Sequence, residues 1–192
     1  MTCADCWRAV TFGRIATACD MSLSELYGQY SSKSDLLVAY SRRIDAAMLE
    51  ALGPSPLAIE GSVVKDRLFE ALMARFDAMA SHKDAIRSLM RDLPGDPATL
   101  ACFLYGGLRR GLDWALAAAD LDTTGLAGGL RRNLLGAVYL DALRVWLRDD
   151  GADLAATMAH LDRRLAQASR CLTARRPFSR RRDSASESAA TI

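Results

Sequence analysis

The chain has 192 residues with 25 basic and 23 acidic side chains, and 51% of its residues are hydrophobic. This composition predicts a soluble, globular protein. The lack of an apolar run of about 18 residues argues against a membrane-spanning helix. Five cysteines without a framework spacing argue against a disulfide scaffold, and the first ten residues show no secretory signal, so we expect reduced thiols and a cytoplasmic protein.

The positive charge is concentrated at the C-terminal end. Residues 175–192 carry five arginines against two acidic residues, so residues 1–174 have a net charge of −1. Nucleic-acid-binding proteins usually have a basic face, because phosphate neutralisation supplies much of their affinity. The charge of the body therefore gives little support for nucleic-acid binding. We expect the polar tail to be disordered, either solvated or in weak peripheral contact with an anionic membrane.

Two short helices joined by a tight turn are predicted near the N-terminus. Apolar residues recur at helical spacing over residues 15–19 and again over residues 26–30. Asp20 tolerates the left-handed conformation that ends a helix, and Ser22 is suited to cap the next one. This pattern is typical of a helix-turn-helix.

A third, longer helix is predicted to begin at Ser32. Asp35 follows three residues later, as in a capping box, and Lys33 lies at the helix N-terminus. The helix continues to Leu52, and the sequence Gly-Pro-Ser-Pro at 53–56 then predicts a linker.

Residues 15–37, IATACDMSLSELYGQYSSKSDLL, resemble the TetR family of bacterial transcriptional regulators. The resemblance implies that the second helix, residues 22–29, lies in the major groove of double-stranded DNA, that the tyrosine supports or contacts the DNA backbone and that the lysine meets a phosphate. The DNA-binding residues predicted on this basis, with Arg14 added as a nearby cation, are Arg14, Ser22, Ser24, Glu25, Tyr27, Gln29, Tyr30 and Lys33.

Two features depart from the TetR pattern. The segment before Thr11 is too short for the first helix of that family, so either the true start lies upstream or the domain is reduced, and we expect a mobile or partner-covered N-terminus. The second helix contains no Arg or Lys, and Glu25 brings a negative charge toward DNA. Two interpretations stay open: the element binds DNA, or it is a structural relic.

The rest of the chain predicts further helices and no strand, so we predict an all-α protein of TetR type. The predicted helices cover about residues 62–80, 83–92, 97–119, 124–148 and 153–171. The helix at 124–148 is apolar on much of its circumference, so we expect it to be buried on more than one side. In the last helix, Leu154, Met158, Leu161 and Leu165 predict a narrow apolar seam along a neighbouring helix. We divide the chain into a helix-turn-helix domain at 1–45, a ligand-binding and dimerisation domain at 46–174, and a tail at 175–192. Glycines at 106–107, 128–129 and 136 fall inside helices, which indicates either close helix approach or space for a ligand.

A second resemblance lies in the C-terminal half, in Trp114, Asp120, Arg131, Arg132, Leu135, Val138, Tyr139, Trp146, Asp149, Thr157 and the LDRRL sequence at 161–165. These residues resemble the coenzyme Q biosynthesis accessory family, lipid-binding proteins that share the TetR fold without acting as repressors. The resemblance implies a two-fold homodimer and a hydrophobic pocket for an isoprenoid or lipid-like molecule. The candidate wall residues, each of which has plain core packing as its alternative, are Leu104, Leu108, Trp114, Leu135, Tyr139 and Trp146.

No residue pattern predicts catalysis, a metal site or a cofactor. His82 and His160 are far apart and accompany no nucleophile motif, and Cys3 and Cys6 form a single CxxC without a second ligand pair. Two hypotheses follow. The first is a dimeric DNA-binding regulator, a repressor that responds to a hydrophobic effector; the second is a lipid-binding accessory protein of ubiquinone biosynthesis that does not bind DNA.

Overall fold

A computed structural model of the chain describes residues 7–53 and 64–173. Within these ranges the secondary structure is helical and contains no strand, which confirms the all-α prediction. No helix among the described residues is long and apolar enough to cross a membrane. The predicted linker beyond Gly53, the predicted tail and the first six residues lie outside the described ranges.

Nine α-helices follow one another in the described part of the chain. They are α1 (Phe12–Ala18), α2 (Leu23–Gln29), α3 (Lys33–Leu52), α4 (Val64–Met79), α5 (Lys83–Asp92), α6 (Pro97–Cys102), α7 (Arg109–Ala118), α8 (Gly125–Trp146) and α9 (Ala155–Thr173). A 3-10 turn at Trp7–Ala9 precedes α1, and a π-helical segment at Phe103–Leu108 joins α6 to α7. The helix ends predicted from the sequence are confirmed to within two residues, whereas the π-helical segment was not predicted.

Local hydrogen bonds set the starts of α2 and α3. The Ser22 side chain accepts from the backbone N–H of Glu25, and the Glu25 carboxylate accepts in return from the backbone N–H of Ser22. Ser32 and Asp35 form the same capping box at the start of α3. Asp20 adopts a φ of 54° in the turn between α1 and α2. Each of these predicted helix boundaries is therefore confirmed. The two reciprocal caps stabilise the helix starts because they satisfy free backbone N–H groups.

The hydrophobic core lies among α3, α4, α7, α8 and α9. Its centre is aromatic: the Phe76 ring stacks on Tyr139 and on Trp146, with centroid separations of 5.5 and 5.6 Å. Met48 of α3 is fully buried in the same core. Because α3 is continuous across residue 45, the two predicted folded domains share this helix.

A buried ion pair connects α3 to α4. Asp45 is bonded to the Arg75 guanidinium, and both side chains are almost fully buried. Arg75 also donates to the hydroxyls of Ser41 and Tyr139, at 3.2 and 3.4 Å. Gly111 of α7 leaves the space that the pair occupies, since a Cβ there would lie 2.5 Å from atoms of both charged groups. Three helices and the hydroxyl of Tyr139 from α8 therefore enclose one pair of charges.

Helix α8 buries only one face within the chain. Leu126 and Leu130, near its start, are 86% and 66% exposed. The prediction that this helix is buried on more than one side is therefore wrong for the single chain. The physical reason is that α8 is an outer helix, so its second apolar side has no neighbour within the described residues.

The seam of α9 also differs from its predicted register. Leu161 and Leu165 are buried as expected, but Met158 is 37% exposed and Thr157 takes the buried position beside it. Asp149 determines this register, because its carboxylate accepts from the Thr157 backbone N–H at 2.8 Å and from the Thr157 hydroxyl at 2.7 Å. These hydrogen bonds lower the pKa of Asp149, the bond from the hydroxyl contributing most.

Most of the glycines inside helices mark close approach. A Cβ on Gly106, Gly107 or Gly136 would lie 3.1 to 3.2 Å from a side chain of a neighbouring helix. A Cβ on Gly128 would overlap the Thr123 backbone, which folds back over the start of α8. Gly129 differs, since nothing lies within 4 Å of its Cβ position. Close approach is therefore confirmed for four of the five glycines at these predicted positions, and the fifth, Gly129, borders open space.

The neighbouring glycines of α8 give a matched pair of variants. We expect Gly128→Ala to lower the free energy of unfolding by about 1–3 kcal/mol, because the backbone of Thr123 has to move. The methyl group added by Gly129→Ala would contact no neighbouring residue. This variant should therefore raise the free energy of unfolding by up to about 1 kcal/mol, because alanine has the higher helix propensity. Urea unfolding followed by circular dichroism measures both, and equal effects would contradict the close packing of the loop on Gly128.

The buried ion pair is tested against an exposed one. Asp45→Asn leaves the Arg75 charge buried without its partner and should destabilise the fold by about 3–5 kcal/mol. The control is Lys65→Gln, which removes the more exposed bond of 2.6 Å between Lys65 and Asp162, and it should cost less than about 1 kcal/mol. Similar midpoints of urea unfolding for the two variants would show that the inner pair is not isolated from water.

Candidate functional site

Helices α1 and α2 form a helix-turn-helix that exposes one face of α2. Ala16 and Leu26 are buried between the two helices and hold them together. Ser24 and Gln29 are exposed, Tyr27 is 79% exposed, and Tyr30 is half-buried. Among the predicted base-reading side chains, Ser24 and Gln29 are therefore presented to solvent as DNA contact requires.

Ser22 and Glu25 are instead occupied by the α2 cap. Glu25 Oε2 accepts from both the Ser22 backbone N–H and the Ser22 hydroxyl, each at 2.8 Å. These bonds lower the pKa of Glu25, the backbone bond first and the hydroxyl bond second, so the carboxylate stays ionised. The structure thus places both residues in the cap, which uses the Ser22 hydroxyl and one carboxylate oxygen of Glu25.

The predicted phosphate-binding cations hold the 3-10 turn before α1. Lys33 Nζ donates to the Trp7 carbonyl at 2.9 Å and lies 4.6 Å from the centroid of the Trp7 ring. The Trp7 backbone N–H donates to Asp92 of α5 at 2.6 Å, and Arg14 donates to the Ala9 carbonyl at 3.1 Å. Lys33 and Arg14 keep their positive charges near α1 and α2, but each has an intramolecular partner.

The charge around the helix-turn-helix is balanced. Residues 7–53 contain five basic and five acidic side chains. The exposed face of α2 carries Leu23, which is 58% exposed, and Tyr27, and it has no cation. The geometry of a helix-turn-helix is present, whereas the electrostatic attraction that supplies non-specific affinity for nucleic acids is small.

A groove of about 650 Å³ lies between the π-helical segment with α7 and the first half of α8. This volume is within the usual range for small-molecule sites. The residues that line it are Leu104, Tyr105, Leu108, Arg109, Leu112, Gly129, Arg132, Asn133, Gly136, Ala137 and Leu140. Most of its lining residues are aliphatic or glycine, its polar side chains are Tyr105, Arg109, Arg132 and Asn133, and the missing side chain of Gly129 leaves part of it open.

Two of the six predicted pocket residues lie on this groove. Leu104 and Leu108 line it. Leu135, Tyr139 and Trp146 are instead packed in the core with at most 4% exposure, which is the alternative that the sequence left open. Trp114 is 45% exposed and does not line the groove.

Sequence reasoning missed most of the groove. Tyr105 and Arg109 come from the π-helical segment and the start of α7, where no local pattern distinguishes a π-turn from an α-turn. The α8 wall follows a pattern that the sequence shows, because residues 129, 133, 136 and 140 lie along one face of the helix, beside the face that carries Leu135, Tyr139 and Trp146. The resemblance that guided the prediction pointed to the buried face.

No group of three metal-binding side chains occurs among residues 7–53 and 64–173. His160 is within 3.0 Å of Asp141 and of Arg163, so it belongs to a polar contact between α8 and α9. His82 lies edge-on to Tyr40, with ring centroids 5.6 Å apart.

Comparison with known proteins agrees with this architecture. The COQ9 family model matches residues 130–171, which cover most of α8, the following turn and most of α9. No curated protein sequence matches the chain. A crystal structure of the TetR transcriptional regulator from Nitrosomonas europaea ATCC 19718 superposes with a TM-score of 0.66 at 23% identity, covering 85% of this chain and 88% of that one. The chain therefore has the TetR fold, with a COQ9-like C-terminal region.

Proposed function

We propose that the protein is a TetR-type, DNA-binding transcriptional regulator, a repressor, that responds to a hydrophobic small molecule. The observation that carries this proposal is the complete helix-turn-helix, whose exposed helix α2 is followed directly by α3 of the bundle. A regulator needs a helix in the position of α3, because the DNA-binding surface has to be joined to the ligand site. In this proposal the protein is cytoplasmic and non-catalytic.

The π-helical segment supports communication between groove and helix-turn-helix. Its residues Leu104 and Leu108 line the groove, whereas Gly106 and Gly107 bring its backbone close to Val38 and Ser41 of α3. A ligand in the groove thus contacts a segment that packs on the helix following α2. π-Helical turns are frequent at functional sites. The ligand changes DNA binding if it favours one position of this segment over another.

Contacts with double-stranded DNA divide into two kinds in this proposal. Ser24 and Gln29 reach base edges from α2, since hydroxyl and amide groups recognise bases in the major groove. Lys33 and Arg14 contact phosphates, together with the exposed Arg42 of α3.

A lipid- or isoprenoid-binding accessory protein of ubiquinone biosynthesis, without DNA binding, is the second candidate. The COQ9 match falls on α8 and α9, and α8 forms one wall of the groove. The absence of a cation on α2 and the balanced charge of residues 7–53 favour this candidate. Both candidates share a hydrophobic ligand, and they differ in whether α2 binds DNA.

A homodimer is part of either function. Leu126 and Leu130 of α8 are exposed in the single chain, and exposed apolar patches usually mark an interface. We propose that a second copy of the chain covers them. A two-fold arrangement would also place two helix-turn-helix units side by side, as palindromic DNA sites require.

The dimer is tested by charge insertion. Leu130→Glu should halve the mass measured by light scattering during gel filtration, because a carboxylate cannot be buried at an apolar contact without a partner. Leu23→Glu is the matched control: Leu23 is similarly exposed, at 58%, but lies on α2, so the mass should not change. A monomeric mass for the unaltered chain would contradict the dimer.

DNA binding is tested by its salt dependence. Anisotropy of labelled duplex DNA from beside the coding region should show a steep loss of affinity with salt, and Lys33→Gln should reduce the slope by about 1 because one phosphate contact is lost. Glutamine keeps a donor for the Trp7 carbonyl. Arg170→Gln removes one charge from an exposed site on α9 and should leave the slope unchanged.

The same preparation decides between the two candidates. Affinity without sequence preference and without an effect of Lys33→Gln would contradict the regulator. Mass spectrometry of an organic extract of the purified protein that then identified an isoprenoid lipid would support the accessory protein.

A further inference from the structure

We propose that the groove takes an amphiphile with an anionic head, whose apolar chain lies along the leucines and whose head is bound by Arg109. This inference rests on the proposed hydrophobic ligand and specifies its chemical class. Its basis is the combination of aliphatic walls with one uncompensated positive charge at the groove surface.

The groove contains two cations, and no acidic side chain lines it among the described residues. Arg132 is already neutralised, because its guanidinium is bonded to Asp113 and also donates to the Thr123 carbonyl at 3.1 Å. Its side chain is only 12% exposed, so this pair is fixed in the wall. Arg132 therefore shapes the groove without adding a free charge.

Arg109 is in a different situation. It is exposed at the start of α7, and its side chain has no hydrogen-bond or ion-pair partner within residues 7–53 and 64–173. The planar guanidinium matches a carboxylate or a phosphate with two parallel hydrogen bonds. A neutral isoprenoid would leave this group without a partner, whereas an anionic head would satisfy it.

The apolar part of the ligand is defined by the walls. Leu104 and Leu108 come from the π-helical segment, Leu112 from α7 and Leu140 from α8. Gly129 and Gly136 keep the α8 wall flat between them. Such a surface favours a flexible alkyl chain. Burial of each methylene of that chain contributes about 0.8 kcal/mol to binding. A carboxylate or phosphate monoester on this chain then reaches the cation at the groove surface.

The test separates the apolar groove from its charge. The neutral dye N-phenyl-1-naphthylamine reports on the groove, and dodecanoate, dodecyl phosphate and 1-dodecanol compete with it below their aggregation concentrations. Gly129→Phe fills the open space beside Gly129 and should abolish dye binding. In the unaltered chain we expect the two anions to displace the dye at lower concentrations than the alcohol. The better of the two anions identifies the head group.

Arg109→Gln should weaken displacement by the better anion about tenfold, the usual size for loss of one charge-assisted contact, and should leave dodecanol unchanged. The control is Arg110→Gln, since Arg110 is the exposed neighbour that does not line the groove, and it should affect neither competitor. Equal displacement by anions and alcohol, or equal effects of the two arginine variants, would overturn the anionic head and leave a hydrophobic ligand in place. Absence of dye binding, or dye binding unaffected by Gly129→Phe, would overturn both the anionic head and the hydrophobic ligand in this groove.

Discussion

The buried pair of Asp45 and Arg75 is the constraint on which the arrangement of the helices depends. Two charges removed from water are tolerated only when each satisfies the other, so the pair fixes the distance between α3 and α4. Gly111 extends the constraint to α7, because any side chain there would displace the charged groups. The hydroxyl of Tyr139 adds α8. A helix that begins beside the helix-turn-helix is thereby held in one position inside the helical bundle.

This constraint determines which parts of the molecule are able to move. The pair holds α3 at its middle, whereas the first turns of α3 contact the π-helical segment through Val38 and Ser41. A π-turn has one more residue than an α-turn, and such turns are frequent at functional sites. The segment that borders the groove is also the segment that packs closely against the first half of α3. Coupling between ligand and helix-turn-helix would use this contact, and Ser41, which also accepts a hydrogen bond from Arg75, connects it to the buried pair.

The sequence was sufficient for features that short-range physics controls. The two capping boxes, the left-handed Asp20 and the helix ends depend on residues within four positions of each other, so they are visible in a single sequence. Arg75 and Asp45 are 30 residues apart, and nothing local distinguishes a buried arginine from a solvated one. The register of α9 was missed for the same reason, since Asp149 binds Thr157 across the turn. The groove depends on the packing of α8 against a π-turn, and only its α8 wall has a periodic signal.

Folding alone accounts for some residues of the candidate sites and leaves others unexplained. Ala16 and Leu26 are buried, and Ser22 and Glu25 cap a helix. These contacts stabilise the helix-turn-helix whether or not it binds DNA. The exposed Tyr27 and the exposed Tyr105 beside the groove contribute little to packing. The packing of the single chain therefore does not account for these two large side chains. Function in this protein is therefore to be sought at the face of α2 and along the groove, where the side chains exceed what the fold needs.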